Sequence, residues 1–258
     1  MVVRRILEAI KHPATGGLDL DDPLNTLRRR EIVHGKYLLN CVYKEWYSRI
    51  RMQLSPTAAD ILEIGSGPGF MAVEIPSVTT SEVFEVDGVQ RVENAHSLNY
   101  ADASLDAIVM TDVLHHIPNV TLFFREAERV LRPGGQIIVV EPWVTWWSSL
   151  IYRHVHHEPF DPYTIDWTLD PGGPLSTANG ALPWILFARD VKLFTRHFPM
   201  LEIRSIKPIM PLSYLASGGL STRLGLPGKM YKYLRWAEQR ILSEHGAMFA
   251  VIELRKLP

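Results

Sequence analysis

The segment Ile61-Leu-Glu-Ile-Gly-Ser-Gly-Pro-Gly69 constrains this chain more than any other stretch. An apolar run of strand length, Asp60–Ile64, delivers the backbone into a turn with glycine at 65, 67 and 69. Glycine adopts φ > 0 without strain and has no Cβ, so the main chain there can approach a bound molecule closely. Open α/β sheets bind their ligands in such turns, at the carboxyl ends of strands. The spacing is G-x-G-x-G, with Glu63 before it and Pro68 inside it. Dinucleotide folds instead use G-x-G-x-x-G, which sets a helix N-terminus against a pyrophosphate. A nicotinamide-dependent oxidoreductase is therefore disfavoured, and a plain turn is the bland alternative.

The surrounding pattern sets this turn within an alternation of strands and helices. Strand signals at Glu82–Asp87, Leu105–Met110 and Gln136–Glu141 alternate with a helical stripe of Val120, Phe123, Phe124, Ala127, Val130 and Leu131, stopped by Pro133-Gly134-Gly135. Such alternation predicts a mostly parallel sheet covered by helices. Residues 1–54 read as a helical cap, with Leu39, Val42, Tyr43, Trp46 and Ile50 on one stripe, Asp22-Pro23 as a start signal and Ser55-Pro56 as a stop. Residues 55–141 form the ligand-binding half. Residues 142–188 break the rhythm with five of the chain's seven tryptophans and six prolines, the signature of a lid or binding insertion. Residues 189–258 resume the alternation and complete one domain, 1–258, with a helix at Asp190–Phe198 and strands at Leu201–Lys207 and Ala247–Leu254.

Glu63-Ile-Gly-Ser-Gly-Pro-Gly69 resembles the first motif of class I S-adenosylmethionine (SAM)-dependent methyltransferases, specifically their small-molecule (methyltransferase type 11-like) group. Leu105–Pro118 resembles the family's fourth strand and following loop, and Arg129–Gln136 its turn into the fifth strand. The resemblance implies a Rossmann-like, doubly wound, seven-stranded sheet with an antiparallel last strand. It also implies the cofactor S-adenosyl-L-methionine, with Glu63 under the turn, Gly65, Ser66, Gly67 and Gly69 lining the methionine and ribose portions, and Asp87 on the ribose diol. Asn94 and Ala95 would meet the adenine, Asn94 through its carbonyl. Thr111 and His116 would lie toward the methionine end. Asp87 and Asn94 stand so close in sequence that the helix usual between the second and third strands is expected to shrink to a turn.

Methyl transfer needs an aligned acceptor and, for a hydroxyl, a group to take its proton. The candidates are His115 and His116 after the fourth strand, Glu141 ending the fifth, and His157 and Glu158 in the insertion. Each has a structural alternative, as packing, cap or lid surface. Asn179 and Arg223 are weaker candidates for acceptor contact. The His154–Asp161 stretch lacks any structural zinc spacing, and no metal is expected. Cys41, the lone cysteine, reads as a small apolar filler, and Arg28-Arg29-Arg30 as a solvated helix face.

A net charge of −1 and the lack of a basic stripe argue against nucleic acid, as does the absence of an Asn/Asp-Pro-Pro-Tyr/Phe motif after the fourth strand. No run approaches the roughly 18 apolar residues of a membrane span, and no signal peptide is read at the N-terminus. The expected protein is cytoplasmic, with peripheral membrane contact left open. It is expected to transfer methyl groups to a small-molecule or glycan acceptor, at oxygen rather than nitrogen. The rival reading is a non-catalytic protein that keeps the fold to bind SAM.

Overall fold

The computed structural model describes residues 12, 21–155, 158–169, 172–173, 175–223, 225–242 and 244–258. Two helices lead, α1 (Pro23–Gly35) and α2 (Tyr37–Gln53). Asp22 caps α1 by accepting from the Leu24 N–H at 2.9 Å, and Pro23 stands in the first turn, as the start signal requires. The core follows as β1 (Ile61–Glu63), α3 (Met71–Glu74), β2 (Val78–Glu82), β3 (Arg91–Val92), β4 (Leu105–Thr111), α4 (Val120–Val130) and β5 (Leu131–Pro142). Then come α5 (Trp146–His154), α6 (Leu182–Trp184) with a π turn at Ile185–Arg189, α7 (Val191–His197), β6 (Leu201–Ile209), α8 (Ser213–Ser217), α9 (Tyr231–Ala237) and β7 (Phe249–Lys256).

The strands form one seven-stranded sheet in the order β3-β2-β1-β4-β5-β7-β6. Pairs from β3 through β5 are parallel, and β7 runs antiparallel to both β5 and β6. This is the architecture expected from the sequence. The order reverses between β1 and β4, which opens a crevice beyond their carboxyl ends, the ligand position of open α/β sheets.

Each face of the sheet has its own core. On one side α4, α7 and the π turn pack Phe123, Phe124, Phe187, Phe194 and Phe198 over Ile108, Met110, Ile137 and Val139. On the other, α2 lays Val42, Tyr43, Trp46, Tyr47 and Ile50 over Val109, Ile138, Val140 and Val251. The apolar stripe read from the sequence therefore faces the sheet. Cys41 sits at the edge of that stripe and is only half-buried.

The second strand differs from its expected position. It is Val78–Glu82, and Glu82–Asp87 is instead the strand's last residue and the loop behind it. β1 has already paired Ile61, Leu62 and Glu63 with Val78, Thr79 and Thr80, so the register leaves no sheet partner for the Val-Phe-Glu-Val run. The 83–90 connection contains no helix, as anticipated.

Candidate active site

The glycine turn projects from β1 into the crevice. Gly65 has φ +66° and Gly67 φ +47°. A Cβ at Gly65 would lie 2.7 Å from the Val113 side chain, so the turn after β1 and the turn after β4 touch at a point where only glycine fits. A Cβ at Gly67 would make only ordinary contacts, with Glu82 Oε1 at 3.6 Å and the Gly65 carbonyl oxygen at 3.7 Å, and Gly67 lines the cavity. The Gly67 N–H donates to Glu82 Oε1 at 2.6 Å, tying the turn to the end of β2. Beneath it, the Ser66 hydroxyl donates to Glu63 Oε2 at 2.7 Å. Burial pushes the Glu63 carboxyl up to about 7; the Ser66 hydrogen bond opposes this and the Glu82 charge adds to it.

The cavity runs from this turn to the insertion. At one end it is lined by Glu63–Pro68, Glu82, Asn94, Ala95 and Thr111. At the other it meets Arg29, Tyr43, Asp112, His116, Glu158 and Tyr214. Thr111 Oγ1 is buried without a hydrogen-bond partner. An orphaned hydroxyl on the wall of a cavity is what a polar ligand would complete.

The far end is organised by one buried carboxylate. Asp112 takes φ +62°, swinging the chain out of β4. The Val113 and Leu114 N–H groups then both donate to Glu141 Oε1, at 2.8 and 2.7 Å. Glu141 Oε2 lies 2.7 Å from His115 Nδ1. Burial disfavours the His115 cation, but the carboxylates of Glu141 and Glu158 outweigh it and hold the imidazole well above its ordinary range. His116 Nδ1 lies 2.8 Å from the Thr177 carbonyl. A carbonyl can only accept, so Nδ1 carries the proton and Nε2 presents its lone pair. Burial, with the neighbouring His115 charge, lowers His116 to about 4, leaving it neutral at pH 7. The Asp112 carboxyl is pushed by burial up to about 7, against the pull of His115.

These features agree with known proteins. A family model described as a methyltransferase domain matches residues 62–139, from β1 to β5. Over those residues the chain is similar to methyltransferase domains. A probable S-adenosylmethionine-dependent methyltransferase of Mycobacterium tuberculosis is 32% identical over 138 residues, 46% of this chain and 48% of the relative. The chain spans about half the length of the curated relatives it matches. A SAM-dependent methyltransferase of Methanosarcina mazei superposes with a TM-score of 0.50 at 22% identity, over 81% of this chain and 97% of that one. Geranyl diphosphate C-methyltransferase of Streptomyces coelicolor A3(2) gives 0.52 at 13% identity, over 99% and 98%. Both structures share the fold.

Most of the residues expected to meet a cofactor line the cavity wall: Glu63, Gly65, Ser66, Gly67, Asn94, Ala95, Thr111 and His116. Four expectations are corrected. Asp87 is exposed in the loop after β2, where its carbonyl accepts from Arg30 Nη1 at 2.6 Å; Glu82 occupies the strand end instead. Gly69 faces away from the cavity, and its missing Cβ makes room for the Tyr47 hydroxyl of α2, which accepts from the Phe70 N–H at 3.2 Å. Glu141 is fully buried, spending its carboxylate on three donors, and does not reach an acceptor. His115 is fully buried behind His116, outside the cavity wall.

The Asn94 carbonyl already accepts from the His96 N–H at 2.9 Å, so its role in the turn precedes any role toward adenine. Glu158 lines the cavity, whereas His157 lies outside the described residues. Asn179 is a clamp rather than an acceptor contact. Its side chain accepts from the Asp161 N–H and donates to the Asp161 carbonyl, while its N–H donates to the His115 carbonyl. Leu220 and Ser221, not Arg223, bring the 217–223 loop to the cavity.

Sequence reasoning missed Glu82, Arg29 and Arg30. Arg30 donates to the Gly67 carbonyl at 3.3 Å as well as to Asp87, and Arg29 lines the acceptor end. Three consecutive arginines on a helix span more than half its circumference, so at least one must face inward; that was the available signal.

Proposed function

We propose that the protein transfers the methyl group of SAM to a hydroxyl oxygen of a small-molecule or glycan acceptor. One observation carries this reading: a single cavity joins a glycine-and-carboxylate cradle to a second polar end at His116 and Glu158. Gly65 and Gly67 leave backbone exposed for the methionine and ribose portions. Glu82, at the end of β2 beside the turn, has the acceptor lone pairs a ribose diol needs. The unpaired Thr111 hydroxyl would take a polar group at the methionine end. Bound SAM would supply a methyl group already activated on sulfur; the acceptor oxygen would take it as the C–S bond breaks to leave S-adenosylhomocysteine and the hydroxyl proton passes to solvent water. Tyr43 and Tyr214 provide apolar walls, and Asp112, His116 and Glu158 provide polar contacts that orient the acceptor's hydroxyl.

The test has two arms. Titration calorimetry with S-adenosylhomocysteine should show one site per chain. Incubation with methyl-labelled SAM and a panel of hydroxyl-bearing small molecules and glycans should then label an oxygen. Absence of cofactor binding overturns the proposal. Tight binding with no turnover across the panel favours the non-catalytic alternative.

A further inference from the structure

We propose that His115, His116 and Glu158 form a binding site for a divalent first-row transition-metal ion at the acceptor end of the cavity. Glu158 comes from a stretch of chain distant from the adjacent pair His115-His116, which is why no sequence spacing announced the site. His115 Nε2 lies 3.5 Å from Glu158 Oε2, and His116 Nε2 lies 3.8 Å from Glu158 Oε1. All three donor atoms fall within 4.8 Å of one another. Donors bound at about 2.1 Å to one tetrahedral ion stand roughly 3.4 Å apart, so only small side-chain adjustments close the site.

The outer contacts are those of metal-ligating histidines. Such histidines give their second ring N–H to a carboxylate or a backbone carbonyl, which fixes the tautomer and turns the other nitrogen toward the ion. Here His115 Nδ1 is held by Glu141 and His116 Nδ1 by the Thr177 carbonyl, both on the side away from Glu158. Both Nε2 atoms therefore converge on one carboxylate. His115 Nε2 is independent support: it belongs to a fully buried side chain and has no hydrogen-bond partner. At 3.5 Å Glu158 is farther than an ordinary hydrogen bond, and a divalent ion between them would displace the Nε2 proton and pair with the carboxylate in its place.

Two imidazoles and one carboxylate suit zinc, manganese, iron or cobalt better than magnesium, which prefers oxygen alone. Because His116 and Glu158 line the cavity, the remaining coordination positions face the acceptor. An acceptor hydroxyl reaching the ion would lose its proton to solvent water more readily, and its oxygen would form the new C–O bond as the sulfonium C–S bond breaks. This part rests on the methyl-transfer reading above; metal binding itself does not.

The site can be tested without turnover. The full chain, stripped with a chelator, is titrated with Co²⁺ and with Zn²⁺ by calorimetry and by visible absorption, with S-adenosylhomocysteine affinity measured in parallel. One equivalent of Co²⁺ should bind and give ligand-field bands. Glu158→Gln and His116→Ala should each weaken binding at least tenfold, and Glu141→Gln about 10–100-fold. Glu158 is partly exposed, so its variant should keep the native far-ultraviolet circular dichroism. Failure of the wild-type chain to bind either ion, or binding unchanged in both Glu158→Gln and His116→Ala, overturns the proposal. Intact cofactor affinity in that case leaves the methyltransferase reading standing. Lost cofactor affinity alongside normal Co²⁺ uptake would sink that reading instead.

Discussion

Single side chains at the glycine turn separate ligand contact from fold. Gly65 cannot take a side chain without striking Val113 at positive φ, so Gly65→Arg would disturb the fold as well as the cavity. Gly67 is the cleaner probe. Gly67→Ala has room and faces the cavity, so it should cost about 1 kcal/mol in positive-φ strain while markedly weakening S-adenosylhomocysteine binding by calorimetry. Glu82→Gln keeps the volume but loses the charged acceptor; a drop of about 2 kcal/mol in cofactor affinity is expected, with little change in urea midpoint.

Glu63 carries a pH signature. Its folded value of about 7 exceeds the ordinary 4.5, so the folded state holds this proton where the unfolded chain has released it. The contribution is fully present below the ordinary value and is lost as pH rises through about 7, on the order of 3 kcal/mol in total. Glu63→Gln removes that slope. Its urea midpoint relative to wild type, without cofactor, should therefore rise between pH 5 and pH 8; an unchanged difference would mean the carboxyl is not buried as described. At this scale the glycines and Glu63 were legible because they lie within one short motif. Glu82 and Asp87 were not separable, since both are acids near a strand end and only pairing with β1 shows where the strand stops.

Among the elements, α2 couples the N-terminal segment to the site. Trp46 is fully buried, stacks on Tyr214 at 5.7 Å, packs on Phe249 at 4.8 Å and donates to Met210 Sδ at 3.2 Å. Trp46→Ala should lower unfolding free energy by about 3–5 kcal/mol, measured by urea denaturation. Tyr43 and Tyr47 from the same helix line the cavity, so the variant should also weaken cofactor binding. The 142–188 stretch reads in the sequence as a tryptophan-rich insertion. Trp143 and Trp167 are buried in the core, and none of the tryptophans lines the cavity. What this stretch brings to the cavity wall is Glu158 and Leu175, with the Thr177 carbonyl behind His116 to fix its tautomer.

Across the whole molecule, the cavity collects residues from α1, α2, the turns after β1 and β4, the insertion and the 217–223 loop. A ligand bound there bridges them all. S-adenosylhomocysteine at about 100 times its dissociation constant should add about 2.7 kcal/mol and raise the melting temperature by roughly 5–10 °C. Differential scanning calorimetry measures this, and no shift at saturation would place the cofactor elsewhere. No helix among the described residues is long and apolar enough to cross a membrane, in keeping with the hydropathy of the sequence.

Local chemistry determined the glycine turn, the helical stripes and the strand alternation, because periodicity and φ preference act over a few neighbouring residues. From these came the sheet class, while the cofactor was implied by the resemblance of the glycine turn to a methyltransferase motif. Strand register, the inward turn of Arg29 and Arg30 and the meeting of His115 and His116 with Glu158 were decided only by tertiary structure. Those depend on which distant groups share a buried volume, and sequence separation carries no measure of that.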